Sequence, residues 1–373
     1  MKEYPFQRLA DTNARFAERL KEAACRVIDS GWYLMGPETK AFEEELALFL
    51  GTGHAVGTAN GLEAIRLTFK ALMELGRLKP GDGVLVPANT FIASVLPLTQ
   101  LGLKPRPVDP DYSTMSVSLS MMADAADADT RAALPVHLYG FPAYDAEGLE
   151  RLKNAGIIIV EDNAQAIGAE INVSGRDTSI RTGSIGDAAA ISFYPAKNIG
   201  ALGDAGAVVT SDPVLAETVR QLSNYGGSRK YRYDFQGFNS RMDEMQAAML
   251  RVKLPDTVAE RDRREASAQE YDRAITNPLI TKPPRDRHFR QAWHQYVVRC
   301  TRRDELAEHL RHNGVETMIH YPLPPHRQRC YEGKIVGHFP VADRLADEVL
   351  SLPIANITPY DAKEISSIIN RFK

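Results

Sequence analysis

Lys197 and Asp162 are the pair of residues in this chain best suited to covalent chemistry. Lys197 lies in Ser192-Phe193-Tyr194-Pro195-Ala196-Lys197-Asn198, directly after the strand-like run 187–192. Asp162 follows another strand-like run, Gly156-Ile157-Ile158-Ile159-Val160-Glu161, and opens Asp162-Asn163-Ala164-Gln165. A lysine amine forms a Schiff base with an aldehyde. A carboxylate at the end of a neighbouring strand keeps a pyridine nitrogen protonated. Together they describe a site for pyridoxal phosphate (PLP), a cofactor that serves as an electron sink while the protein tunes it.

Other residues fall in place around that pair. Gly57-Thr58-Ala59-Asn60-Gly61-Leu62-Glu63-Ala64 joins a strand to a helix through small residues. A helix N-terminus offers free N–H groups and a positive dipole end to a phosphate. Ser192 adds a hydroxyl. Phe91, at the start of a helix that follows a strand, can stack on a pyridine ring. Gln165 can donate to a phenolic oxygen on that ring. Once displaced by a substrate amine, Lys197 can move a proton between two carbons.

Each feature has an ordinary explanation when taken singly. Asn60 suits a helix N-cap, a phenylalanine usually packs in a core, and a loop lysine is usually a surface charge. Five features in one order outweigh these: the small-residue turn, the aromatic, Asp-x-x-Gln, Ser-x-x-x-x-Lys, and Gly-x-x-Gly-Asp-x-Gly at 200–206.

The elements that must position these residues alternate in type. Short strands are expected at 54–57, 83–87, 105–108, 133–138, 157–161, 187–192 and 206–210. Helices are expected at 13–29, 37–50, 62–74, 91–101 and 242–254. Such alternation implies an α/β fold with a mostly parallel sheet covered on both faces. Ligands in such folds bind beyond the carboxyl ends of the strands. After Pro255 come a charged helix (258–274), a Pro- and Arg-rich loop (277–290), a strand (293–299) and a helix (303–313). This divides the chain into a large domain, 1–252, and a smaller α+β domain, 253–373.

At 373 residues two domains are the natural expectation. The net charge of −3, without blocks of like charge, gives no nucleic-acid footprint. No apolar run approaches the roughly 20 residues needed to span a bilayer. Three widely spaced cysteines offer neither a disulfide framework nor zinc-ligand spacing. A cytoplasmic protein without a metal is expected.

From about Gly31 to Pro353 the chain resembles the DegT-type nucleotide-sugar aminotransferases, PLP enzymes of the aspartate-aminotransferase (type I) fold. The resemblance is carried by Gly36-Pro37-Glu38 with Phe42-Glu43, by Glu161 to Gln165, and by Ser192 to Asn198. Gly237-Phe238-Asn239-Ser240-Arg241 with Gln246-Ala247-Ala248 completes it. It implies Lys197 as the Schiff-base lysine, Asp162 at the pyridine nitrogen and Gln165 at the phenolic oxygen. It also implies Gly61, Leu62 and Ser192 at the phosphate and Phe91 on the ring face. Asn239 is implied to reach the phosphate of a neighbouring subunit, which requires a homodimer with shared sites. Asn60 departs from the usual Ser or Thr, and Asn163 from the usual Ala. The dehydratase branch replaces the lysine with histidine, so Lys197 favours transamination.

Within that family the segment Thr317 to His326, with Asn224-Tyr225-Gly226-Gly227 and Ala292-Trp293-His294, looks most like enzymes acting on dTDP-linked 3-keto-6-deoxyhexoses. This marks Tyr194, His320, Tyr321 and His326 as expected substrate contacts. The implied amino donor is L-glutamate, leaving 2-oxoglutarate. The alternatives are a 4-keto sugar as acceptor, or a regulator that binds PLP without turnover.

Overall fold

Seven short strands form the sheet that carries the site. They are β1 (His54–Thr58), β2 (Gly83–Pro87), β3 (Lys104–Val108), β4 (Thr130–Ala133), β5 (Ile158–Asp162), β6 (Ala188–Ser192) and β7 (Gly206–Thr210), arranged β1-β7-β6-β5-β4-β2-β3. The structure is a computed structural model that describes residues 2–172 and 179–373. β7 runs antiparallel to both of its neighbours, and every other pairing not involving it is parallel. Six strands therefore point one way, and their carboxyl ends share one edge.

The strands are buried because helices cover both faces. Alternate residues point to opposite sides of a sheet. Ala188, Ala190 and Val208 pack with Ala64, Ile65 and Leu215 from the helices Gly61–Glu74 and Pro213–Ser223. Ala189, Ile191 and Val209 pack on the other face with Phe42, Leu46 and Leu250, from Pro37–Leu50 and Glu244–Lys253.

A second core surrounds the antiparallel pair β8 (Tyr296–Arg299) and β9 (Val349–Leu352). The helices Thr257–Ala274, Arg303–His312 and Pro359–Ile369 pack against it. Tyr4 joins this core from far outside the expected 253–373, because it bridges to Val315.

Several local expectations shift. The strand expected at 133–138 is β4, which ends at Ala133. Pro135 has no N–H and interrupts the strand, only Val136 still bridges to Asp162, and Leu138–Gly140 forms a 3₁₀ turn in which Tyr139 has φ 61°. The helix expected at 91–101 divides into Ile92–Ser94 and Leu96–Gln100, the second with Pro97 in its first turn. The helix expected at 13–29 divides likewise into Leu9–Ala14 and Ala17–Ser30. The strand expected from Trp293 begins at Tyr296, because Trp293 has φ 47° rather than an extended backbone.

Candidate active site

The carboxyl ends of β5 and β6 open onto a cavity of about 1170 Å³. Asp162 is the last residue of β5 and Ser192 the last of β6, so parallel pairing sets their spacing. Gly61 opens the helix after β1, and its place admits no larger residue. A Cβ there would stand 2.6 Å from Cβ of Ser192. Gly206 is as tightly held, since its Cβ would lie 2.3 Å from the carbonyl carbon of Asn60. Asn60 caps the helix by accepting from Glu63 N–H at 2.9 Å. The Gly61 and Leu62 N–H groups have no protein partner among the described residues, and both residues line the cavity beside Ser192. Orphan donors of this kind suit a phosphate.

Asp162 is 6% exposed. Its Oδ2 accepts from Ser94 Oγ at 2.7 Å and its Oδ1 from Ala164 N–H at 3.1 Å. Lys197 is only partly exposed to the cavity, and loss of hydration pulls its amine down to about 8 despite the opposing pull of Asp162. Phe91 and Gln165 line the same space, with the Phe91 ring 5.0 Å from that of Tyr321. Gln165 Oε1 accepts from Tyr139 N–H at 2.7 Å, and its Nε2 donates to the Tyr321 hydroxyl at 2.9 Å. Carboxylate, amine, orphan N–H groups and aromatic ring together fit PLP.

Tyr194, His320 and Tyr321 also line the cavity. Burial brings the His320 imidazole down to about 4, so the ring is neutral near pH 7. Its Nδ1 is 2.8 Å from Ser351 Oγ, and the Tyr139 hydroxyl donates to its carbonyl. Burial pushes the Tyr321 phenol above its ordinary range.

Two expected residues lie elsewhere. His326, an expected substrate contact, does not line the cavity of its own chain. Its Nε2 is 2.9 Å from Asp343 Oδ1 and its ring packs on Phe339, because the Pro325–Arg327 turn directs it to the helix Pro340–Glu348. Asn239 is exposed outside the cavity, its backbone bridged to Asn224.

Some residues of the site escape motif reasoning. Ser94 reaches Asp162 from the β2 side and Thr90, four residues earlier, bonds to Ser94; their i, i+4 hydroxyl spacing is the only local signal. His294 lines the cavity with Nδ1 3.0 Å from Asn198 Oδ1, and burial, then the nearby Lys197 amine, hold it well below the usual histidine range. Behind Asp162, His137 Nδ1 accepts from Ala143 N–H, so Nε2 carries the proton and donates to Glu161 at 2.9 Å. Glu161 also accepts from the N–H groups of Gly183, Ile185 and Gly186, which fastens β5 to the turn before β6.

Known proteins resemble this chain over nearly its whole length. The chain is 45% identical over 351 residues to the dTDP-3-amino-3,4,6-trideoxy-alpha-D-glucose transaminase of Streptomyces venezuelae, covering 92% of this chain and 90% of that one. It is 39% identical over 370 residues to the dTDP-3-amino-3,6-dideoxy-alpha-D-galactopyranose transaminase of Aneurinibacillus thermoaerophilus, covering 99% of each. The crystal structure of S. venezuelae DesV in complex with a ketimine intermediate superposes with a TM-score of 0.92 at 42% identity, covering 99% of this chain and 98% of that one. A family profile matches residues 15–371. The chain therefore belongs to the DegT/DnrJ/EryC1/StrS aminotransferase family, whose cofactor is PLP.

Proposed function

We propose that this PLP-dependent aminotransferase moves an amino group from L-glutamate to a dTDP-linked 3-keto-6-deoxyhexose, giving a dTDP-3-amino-3,6-dideoxyhexose. The observation that carries the reading is the convergence of Lys197, Asp162, His320 and Tyr321 on one cavity, larger than the roughly 300–1,000 Å³ of ordinary ligand pockets. Two relatives that match 92% and 99% of the chain are named for dTDP-3-amino sugars. The N-terminus of the helix Gly61–Glu74, with Ser192, holds the phosphate.

Bound PLP supplies an aldehyde and a pyridinium that accepts electrons. Asp162 would hold the proton on the pyridine nitrogen. The Lys197 amine, lowered to about 8 by burial, would hold the cofactor through its aldehyde as a Schiff base, with loss of water. Once freed by an amino donor, Lys197 Nζ would take the donor's α-proton and return it to the cofactor carbon across the intervening nitrogen. The keto sugar reverses these transfers, so the cycle is ping-pong. His320, Tyr321 and Tyr194 orient the sugar. Asn239 acts at the partner's phosphate in a homodimer, and the enzyme works in the cytoplasm.

The test is product analysis with L-glutamate and a panel of 3-keto and 4-keto sugars on dTDP and UDP. Amination confined to 4-keto sugars, or to UDP carriers, would overturn the assignment. Purified protein should be yellow and bleach on addition of glutamate. Colour that persists with every amino donor would indicate a PLP-binding regulator instead.

A further inference from the structure

The segment 4–7 ties the two cores together at the wall of the cavity. Tyr4 N–H donates to Gly314 O at 2.8 Å, and Glu316 N–H donates to Tyr4 O at 3.0 Å. Phe6 N–H donates to the Glu316 carboxylate at 3.0 Å. Gln7 then crosses to the large domain, where its Nε2 donates at 3.2 Å to the carbonyl of Ala196, the residue before Lys197. Between these anchors the Phe6 ring lies 5.8 Å from the His320 imidazole, tilted by 34°.

Both Phe6 and Gln7 line the cavity. Its lining continues from them through Glu316, Thr317 and Met318 to Asp304 and Arg311 on the helix Arg303–His312. Glutamate needs little of this length, whereas a nucleotide-linked sugar needs much of it. Gln7 Oε1 has no protein partner among the described residues, so it is free to accept from a sugar hydroxyl. The Phe6 ring packs on an imidazole that Ser351 holds at Nδ1, and so sets the plane that His320 presents to the cavity.

We infer that Phe6 and Gln7 are specificity-determining residues that align the nucleotide-linked sugar and not the small amino donor. Gln7 contacts the sugar, and Phe6 is a positioning residue acting through His320. The inference rests on the acceptor assigned above.

The test uses Phe6→Ala and Gln7→Ala in the PLP-loaded enzyme, with the two half-reactions measured separately. KM for the dTDP-linked 3-keto sugar should rise about tenfold, the equivalent of one modest hydrogen bond. The rate of bleaching by glutamate should stay within about twofold of wild type. Phe6→Tyr, which keeps the ring, should restore KM. An unchanged sugar KM, or equal losses in both half-reactions, would overturn the inference. A wild-type enzyme that bleaches with glutamate yet aminates no nucleotide-linked keto sugar would overturn the acceptor assignment first, and this inference with it.

Discussion

Ser94 Oγ donates a 2.7 Å hydrogen bond to Oδ2 of Asp162. Its proton is committed there, so the Thr90 hydroxyl, 2.8 Å away, donates to Ser94 in turn. Both hydroxyls are almost wholly buried, at 1% exposure each. With Ala164 N–H on Oδ1, the carboxylate is held from two sides. Hydrogen bonds of this kind complement a negative charge and fix the orientation that it presents to the cavity.

Replacing Ser94 tests that relay. A hydrogen bond to a charged group contributes roughly 1.5–3 kcal/mol. Ala164 N–H remains in Ser94→Ala, so the low end applies, about tenfold in rate. The check is the rate of bleaching by glutamate, with Ser94→Thr expected to keep the wild-type rate. An unaffected rate in Ser94→Ala would leave the relay without a catalytic part.

Asp162→Asn goes further, because an amide does not hold the pyridine nitrogen protonated as a carboxylate does. Loss of the same 1.5–3 kcal/mol corresponds to roughly 10- to 100-fold slower removal of the donor's α-proton. Exchange of the glutamate α-hydrogen with solvent deuterium reports this step directly. Exchange at the wild-type rate would contradict the role of Asp162.

The lowered Lys197 amine sets a pH dependence. Burial disfavours its charged form, so the neutral nucleophile dominates above about 8 rather than above about 10.4. Capture of PLP by the cofactor-free protein should therefore rise with pH, with a midpoint near 8, and level off above it. Asp162 raises this amine, so Asp162→Asn should move the midpoint lower. Stopped-flow absorbance against pH measures both, and a midpoint above 10 would refute the burial argument.

Asn239 is exposed and outside the cavity of its own chain, and the proposed role at a partner's phosphate is open to test. Asn239→Ala should weaken PLP binding by roughly 0.5–1.5 kcal/mol, one neutral hydrogen bond. Mixing it with inactive Lys197→Ala should restore activity. In a mixed dimer one site carries both lesions and the other neither. No recovery, with subunit exchange shown independently, would remove Asn239 from any shared site.

Much of the sheet was legible because short buried strands and their turns are local in sequence. β2 and β7 lie where the apolar runs placed them. The run at 133–138 misled because Pro135 has no N–H to give, so past Ala133 only Val136 still bridges to Asp162 before the chain turns. The position of His326 was hidden in another way. Its neighbours resemble a substrate-binding segment, yet its ring turns to Asp343 and Phe339, and no spacing within the segment reveals that.

The sequence by itself determined the chemistry: a lysine and a carboxylate at consecutive strand ends, and glycines where backbones press together. These are local facts, since a strand's end and the turn after it are set by a few neighbouring residues. Only the tertiary structure decided which groups surround that pair. Ser94 meets Asp162 across 68 residues and Gln7 meets Ala196 across 189. Such contacts depend on how the strands order themselves and how two cores close on one cavity. Those outcomes come from burying many apolar faces at once, and they leave no periodicity near the residues they bring together.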